Sequence, residues 1–349
     1  IFIYNIKTMK LFFSILMTFS ILVSNGQLQS FTHNGINRQY IYYEPPNLPS
    51  NAPLVVVLHG YSGSANGIKN YCGMNAVADN NGFAVCYPQG TSDSWGYKFW
   101  NVGYDFHWNE TVDDVDFLVQ LVQYLQIQHN LSSQNTFSTG MSNGGEMSYM
   151  LACQQPQNFK AIASVAGTMF DSYWNTCGSS VIPVMEIHGT NDNVNLWAGD
   201  YSNATGWGVF YDIDSIISLW VNNNNCTQFT NSTLPDLNTS DGSYVETDKY
   251  TNGINNNEVW LYRVVGGEHD WPGAYGNMDI NSSEEIWIFF SQFISGSTSI
   301  ENEYYISNKK RELTLITDLL GRPINGVYNG IVIYMYSDGT AEKKFVLKP

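Results

Sequence analysis

The chain has 349 residues, 43% of them hydrophobic and 15% aromatic, enough apolar material to build a sizeable core. Asp plus Glu number 31 against 15 Lys plus Arg, a net charge of −16. A surface of that sign repels phosphate backbones and anionic bilayers, which excludes nucleic acid and anionic membranes as partners.

Residues Ile1 to Thr8 precede Met9 and are expected to be upstream reading frame rather than protein. Met9-Lys10, the apolar stretch Leu11 to Val23, and Ser24-Asn25-Gly26 before Gln27 have the layout of a cleaved export signal, so the mature chain is expected to begin at Gln27 with no integral membrane segment. The apolar stretch is too short to span a bilayer, which takes roughly 20 residues. Leu54 to Leu58 is a fully apolar strand that ends in His59-Gly60. Asn135 to Thr139 is strand-like and Glu146 to Cys153 helix-like; apolar runs follow at Ala161 to Gly167 and Val181 to Ile187. A helix is expected from Asp214 to Val221, a strand from Glu258 to Val265, and a last helix from Ser283 to Ile294. Strands alternating with helices predict a predominantly parallel, doubly wound sheet. Ser295 to Ser299 reads as a flexible polar linker. Beyond it, Glu312 to Thr317, Gly330 to Tyr336 and Lys343 to Leu347, with the turn Ser337-Asp-Gly339, predict a small all-β module. The expected division is thus 1–26, 27–295 and 296–349.

Gly140-Met-Ser-Asn-Gly144 joins the 135–139 strand to the 146–153 helix. That is the setting of a G-x-S-x-G nucleophile elbow, in which a serine sits on a sharp strand-to-helix turn and its flanks must be nearly free of side chains. A serine alcohol is a poor nucleophile at neutral pH, so Ser142 needs an imidazole base and a carboxylate to orient it. Downstream of Ser142 lie only His188 and His269. His188 ends an apolar run and reads as a structural strand-end residue, whereas His269 stands in the loop Gly266 to Gly273 and is the better base. The acid is expected at Asp192, in the loop after the 181–187 strand. Asp200 is its main rival; Asp212 and Asp214 fall where a helix starts, a position that acids fill for the dipole. The oxyanion donors are assigned to the backbone amides of Asn143 and of Tyr61, the latter after His59-Gly60. His59 reads as a structural hydrogen-bonding residue.

Leu54 to Gly63, Met74 to Asp79, Gly82 to Gly90, Val112 to Leu118, the elbow, Ala161 to Gly167, Ile187 to Asp192 and Gly266 to Gly273 stand in a fixed order. Together they resemble the esterase family of α/β hydrolases that includes secreted polyhydroxybutyrate depolymerases, feruloyl esterases and acetylxylan esterases. The resemblance implies an α/β-hydrolase fold and places the family's triad on Ser142, Asp192 and His269, the set reached from the residues. Asp116 stands where the family usually has glycine, and Glu268 and Asp270 flank the base where neutral residues are commoner. Two carboxylates that approach an imidazole make it more basic, which would move the active range to higher pH. At the other end, Asp318 to Pro323 with Tyr336 to Thr340 and the basic terminal strand resemble the C-terminal sorting domain of type IX secretion, which implies the type IX machinery as a partner and a secreted or surface-attached product; the alternative reading of this segment is a small carbohydrate-binding β module.

Of five cysteines, Cys153 and Cys177 enclose the Ala161 strand and are expected to pair; Cys72 with Cys86 is a second candidate pair that would leave Cys226 over, and other pairings that include Cys226 stay open. The sequence has no Cys/His cluster with zinc spacing and no Walker or dinucleotide glycine fingerprint, so no cofactor is expected. Trp95, Trp100, Trp108, Trp197, Tyr201, Trp207 and Trp271 fall in loops near the expected site, with Tyr61 beside an oxyanion amide. Tyr61, Trp100, Trp197 and Trp271 are the expected substrate contacts. The residues therefore predict a secreted serine carboxylic ester hydrolase acting on a polymeric or aromatic ester; the alternatives are a serine peptidase on the same fold and a non-catalytic carbohydrate-binding surface protein.

Overall fold

The computed structural model describes residues 26–295, 313–317, 322, 324, 330–336 and 341–346. The export signal before Gly26, the linker beyond Ser295, and the sorting-motif residues Asp318–Pro323 (save Arg322) and Ser337–Thr340 lie outside the described residues. In chain order the elements are β1 (Leu28–His33), β2 (Ile36–Tyr43), β3 (Leu54–Leu58), α1 (Ala65–Cys72), α2 (Met74–Asn81), β4 (Ala84–Gln89), β5 (Thr91–Ser92), β6 (Lys98–Phe99), α3 (Asp114–Gln128), β7 (Thr136–Met141), α4 (Asn143–Gln154), β8 (Ala161–Val165), α5 (Asp171–Trp174), β9 (Val184–Gly189), α6 (Ile213–Asn224), β10 (Gln228–Thr233), β11 (Tyr244–Thr251), β12 (Val259–Val265), α7 (Ser282–Ser291), β13 (Leu313–Thr317), β14 (Gly330–Tyr336) and β15 (Ala341–Val346). Two compact units divide between Phe293 and Ile294. In the second, β13, β14 and β15 form an antiparallel sheet in that order.

The first unit is built on one sheet in the order β1-β2-β4-β3-β7-β8-β9-β12-β11-β10. Its six central strands, β4 to β12, run parallel, and an antiparallel hairpin closes each edge. The central strands are covered by helices on both faces: every residue of β3, β8 and β9 is buried, Glu186 and His188 of β9 included, as a parallel sheet demands. The expected doubly wound α/β-hydrolase architecture is therefore present. α6 shows how a helix docks: Ile213, Ile216, Ile217 and Trp220 bury one stripe, and the Asp212 carboxylate caps its start by accepting from Ser215 N at 2.9 Å. Among the described residues, no helix is long and apolar enough to cross a membrane.

One topological fact positions the site. From β3 the chain steps to β4 on one side, then returns through α3 to β7 on the other. The carboxyl ends of β3 and β7 thus open a crevice where the winding reverses, the usual place for a ligand in such sheets. Leu58 of β3 pairs with Gly140 of β7, so the His59-Gly60-Tyr61 turn emerges beside Met141-Ser142.

Cys153, at the far end of α4, is disulfide-bonded to Cys177 as expected, whereas Cys72, Cys86 and Cys226 are free. The Cys72–Cys86 pairing is corrected by strand alternation. Cys72 sits against the Tyr87 hydroxyl, while Cys86, the preceding residue of β4, points to the opposite face among Tyr40, Tyr42 and Ala84. The sheet itself separates the two thiols.

Candidate active site

Ser142 occupies φ 55°, ψ −124°, a conformation that an L-residue holds only when its surroundings impose it. Those surroundings are backbone. A Cβ on Gly140 would lie 2.6 Å from the Gly144 carbonyl carbon and oxygen, and a Cβ on Gly144 would lie 2.3 Å from Leu58 O. The turn closes only because both flanks lack side chains. The Ser142 N–H donates to Val165 O at 2.9 Å, which pins the turn to β8, and α4 starts at the next residue. The Cβ position of Gly60 is 3.4 Å from Ser142 Cβ and 3.9 Å from its Oγ, so the β3 turn lies directly against the serine. Among the described residues, the amides of Tyr61 and Asn143 donate to no other group. They stand on the β3 turn and at the start of α4, where the helix dipole favours negative charge.

His269 and Asp192 come together on the next pair of loops. His269 Nδ1 donates to Asp192 Oδ2 at 2.7 Å; the carboxylate is buried and the imidazole partly exposed. The contact follows from the strand register, because β9 and β12 pair in parallel with Gly189 opposite Val264. Beyond that pair the two loops zip: Thr190 N and Asn191 N donate to Val264 O and Gly267 O, each at 2.9 Å, and Gly266 N donates to Thr190 Oγ1 at 2.9 Å. A side chain on Gly189 would meet the Gly267 and Glu268 carbonyl oxygens at 2.4 Å, so glycine allows this approach. Asp192 Oδ1 accepts from the amides of Val194 at 2.8 Å and Asn195 at 2.9 Å, which orients the other oxygen toward His269. Ser142 Oγ makes no hydrogen bond to His269 among the described residues, and His269 Nε2 has no partner there. Glu268 and Asp270 make no hydrogen bond to the ring either.

The remaining candidates have structural duties. His188 is buried with both nitrogens engaged, Nδ1 2.8 Å from Glu186 Oε1 and Nε2 donating to Asn195 O at 2.8 Å. Burial opposes its charge, but the Glu186 hydrogen bond and charge, with Asp192 behind them, hold its pKa above the ordinary value. His59 Nδ1 donates to Gly60 O at 2.7 Å while its Nε2 accepts from Gly90 N and Gln89 Nε2, each at 3.0 Å. Burial pushes its pKa down to about 4, so it is a neutral brace for the β3 turn. Asp200 accepts from the Ala204 and Thr205 amides at 2.9 and 2.7 Å. Asp116 accepts from His33 Nε2 at 2.8 Å, tying α3 to β1.

The aromatic expectations divide. Trp100 and Trp271, expected as substrate contacts, are fully buried and offer no open ring face. The Trp100 indole N–H donates to His59 O at 2.9 Å, and Asn143 clasps the Trp100 backbone, with Oδ1 accepting at 2.7 Å and Nδ2 donating at 3.0 Å. Trp197 is half-buried, donating to Asp214 Oδ2 at 3.2 Å under the Arg263 guanidinium. Tyr61 is half-buried, with its hydroxyl donating to Asp93 Oδ2 at 2.6 Å. Its ring meets Tyr97, Tyr104, Phe106 and Trp207 at 5.6 to 6.2 Å between centroids.

Sequence reading missed one charged group here. Glu146, one turn into α4, is fully buried and accepts from Tyr104 Oη at 2.5 Å, Asn195 Nδ2 at 2.9 Å and Asn143 Nδ2 at 3.4 Å. Burial pushes its pKa up to about 7 against these donors and the attraction of His269. The available signal is a carboxylate at the head of an otherwise uncharged helix.

A serine on a backbone-enforced elbow, at the carboxyl edge of a mostly parallel sheet flanked by helices, defines the α/β-hydrolase class. The Esterase PHB depolymerase family matches residues 38–235, more than half of the chain, and the chain belongs to that family. It is 32% identical over 161 residues to the putative esterase NocK of Nocardia uniformis, covering 44% of each chain, and so spans less than half of that relative. It is 24% identical over 285 residues to feruloyl esterase D of Neurospora crassa, covering 77% of this chain and 87% of the relative. The acetyl xylan esterase structure from Aspergillus awamori shares the fold, with a TM-score of 0.53 at 17% identity, over 76% of this chain and 99% of that one.

Proposed function

We propose that the chain is a secreted serine carboxylic ester hydrolase acting on polymeric or aromatic esters. In this reading Ser142 attacks the ester carbonyl while His269 Nε2 takes its proton, and Asp192, hydrogen-bonded to Nδ1, orients the imidazole and stabilises its charged form. The Tyr61 and Asn143 amides hold the oxyanion. His269 then protonates the leaving alcohol and activates the water that releases the acid from Ser142. The observation that supports this most is the pairing of His269 with Asp192 at the same sheet edge as a serine held in a strained turn.

Relatives named for feruloyl and acetyl xylan esters, and a family named for polyhydroxybutyrate, favour an ester-bearing polymer as substrate. Tyr61 and Trp197 are the proposed aromatic contacts for it. An export signal ending at Gly26, a catalytic domain over 27–295 and a module over 296–349 read by the type IX secretion machinery complete the proposal. The disulfide suits an oxidising destination. Fluorophosphonate labelling of Ser142, with loss of nitrophenyl ester turnover in Ser142→Ala, tests the nucleophile; retained turnover in that variant would sink the assignment. Parallel assays on methyl ferulate, hydroxybutyrate oligomers and a terephthalate diester rank the substrates.

A further inference from the structure

Among the buried charged groups that the proposed chemistry leaves unused, Glu146 is bonded to both halves of the site. Its Oε2 accepts from Tyr104 and Asn143, and its Oε1 from Asn195. Asn195 also donates its side-chain amide to Ala166 O at 2.8 Å and its backbone N–H to Asp192 Oδ1 at 2.9 Å. One carboxylate therefore connects the root of α4, which begins just after Ser142, the loop that carries Asp192, and the aromatic wall at Tyr104. Packing alone does not call for it. A buried ionisable group costs stability, and apolar residues fill the neighbouring helix positions Met147, Met150 and Leu151.

We propose that Glu146 is a positioning residue: through Asn195 it locks the Asp192 loop to the nucleophile helix, and so fixes where the His269 imidazole stands relative to Ser142. This rests on the hydrolytic roles proposed above. Tyr104, Asn143 and Asn195 face the carboxylate as donors, the Tyr173 phenol lies close enough for its charge to be felt, and His269 is the titratable group across the site. Because the groups that reach Glu146 donate to it, the tie is firmest when it is ionised. Its raised pKa puts the loosening of that tie near neutrality.

The test is steady-state hydrolysis of nitrophenyl acetate by the full chain over about pH 5 to 9, with folding followed by circular dichroism. In Glu146→Leu and Asn195→Ala, kcat is expected to fall about 100-fold with KM within about twofold, since a small misplacement of the base costs that much. Glu146→Gln keeps the shape and an acceptor for Asn195, so it should fall only about tenfold, and its acid limb should be shallower than that of the wild type because one titrating group is gone. Folded Glu146→Leu and Asn195→Ala proteins with kcat within about twofold of wild type would overturn the proposal. Should Glu146→Leu not fold, unchanged kcat and unchanged acid limb in both Glu146→Gln and Asn195→Ala overturn it instead. Ser142→Ala, run alongside, separates the two claims. If it stays active the hydrolytic reading fails; if it is dead while the Glu146 and Asn195 variants are fully active, only the positioning role fails.

Discussion

The two halves of the site are held by opposite means. The serine half, between β3 and β7, is fixed by exclusion: backbone presses on Gly140 and Gly144 so closely that the turn has one way to close. The imidazole–carboxylate half, between β9 and β12, is fixed by hydrogen bonds that zip two loops and clamp Asp192 from both oxygens. Steric exclusion is nearly all-or-none, whereas hydrogen bonds of about 1 kcal/mol each can be subtracted singly. The first half should break abruptly and the second by degrees.

The largest effect is expected within the second half, where chemistry and not stability is lost. Under the proposed roles, Asp192→Asn should lower kcat about 10⁴-fold with little change in melting temperature, measured as ester turnover beside calorimetry. A small drop would mean that the buried carboxylate does not orient the base. In the first half, Gly144→Ala should cost about 4 kcal/mol or yield no soluble protein, because its Cβ meets the Leu58 carbonyl at 2.3 Å. In Gly145→Ala the nearest atom is the Ser164 hydroxyl, at 2.6 Å, with backbone no closer than Gly140 O at 3.2 Å, so the change should cost about half as much by denaturant unfolding. Equal losses would refute the claim that backbone contact is what makes the elbow unforgiving.

Glu146→Gln sharpens the comparison through pH. The folded-state pKa of Glu146, about 7, lies above its ordinary value of 4.5, so the protonated form is the one that folding favours. Its contribution is fully present below about pH 4.5 and is lost as pH rises through about 7, a difference of about 3 kcal/mol. Melting temperature in Glu146→Gln should therefore exceed that of the wild type at about pH 8, with the gap narrowing toward about pH 5. A gap that widens on acidification would contradict this. The smallest effect is expected from Thr190→Val, which removes one acceptor from the loop zipper and should cost about 1 kcal/mol in urea unfolding.

The legible parts of the molecule are those whose signal is local. β3 is an unbroken apolar run, and the elbow announces itself by two glycines at fixed spacing around Ser142. The outermost strand β10 is not legible: Gln-Phe-Thr-Asn-Ser-Thr is exposed at every position and so has no buried face to pattern it. Trp100 and Trp271 misled because loop position suggests exposure, yet these loops fold back on the sheet, and Trp100 bonds the carbonyl of His59, 41 residues away. Glu146 shows in the sequence only as a lone charge on its helix, and its meaning lies in Asn195, 49 residues further on.

The disulfide gives α4 a second anchor. Its first residue follows the glycine-packed turn, and its far end is covalently joined through Cys153 to Cys177. A rod pinned at both tips resists fraying from either side, so reductants should act on this protein first as agents that shorten the lifetime of its folded form. Redox conditions would then be felt at the nucleophile without any thiol having to stand near it.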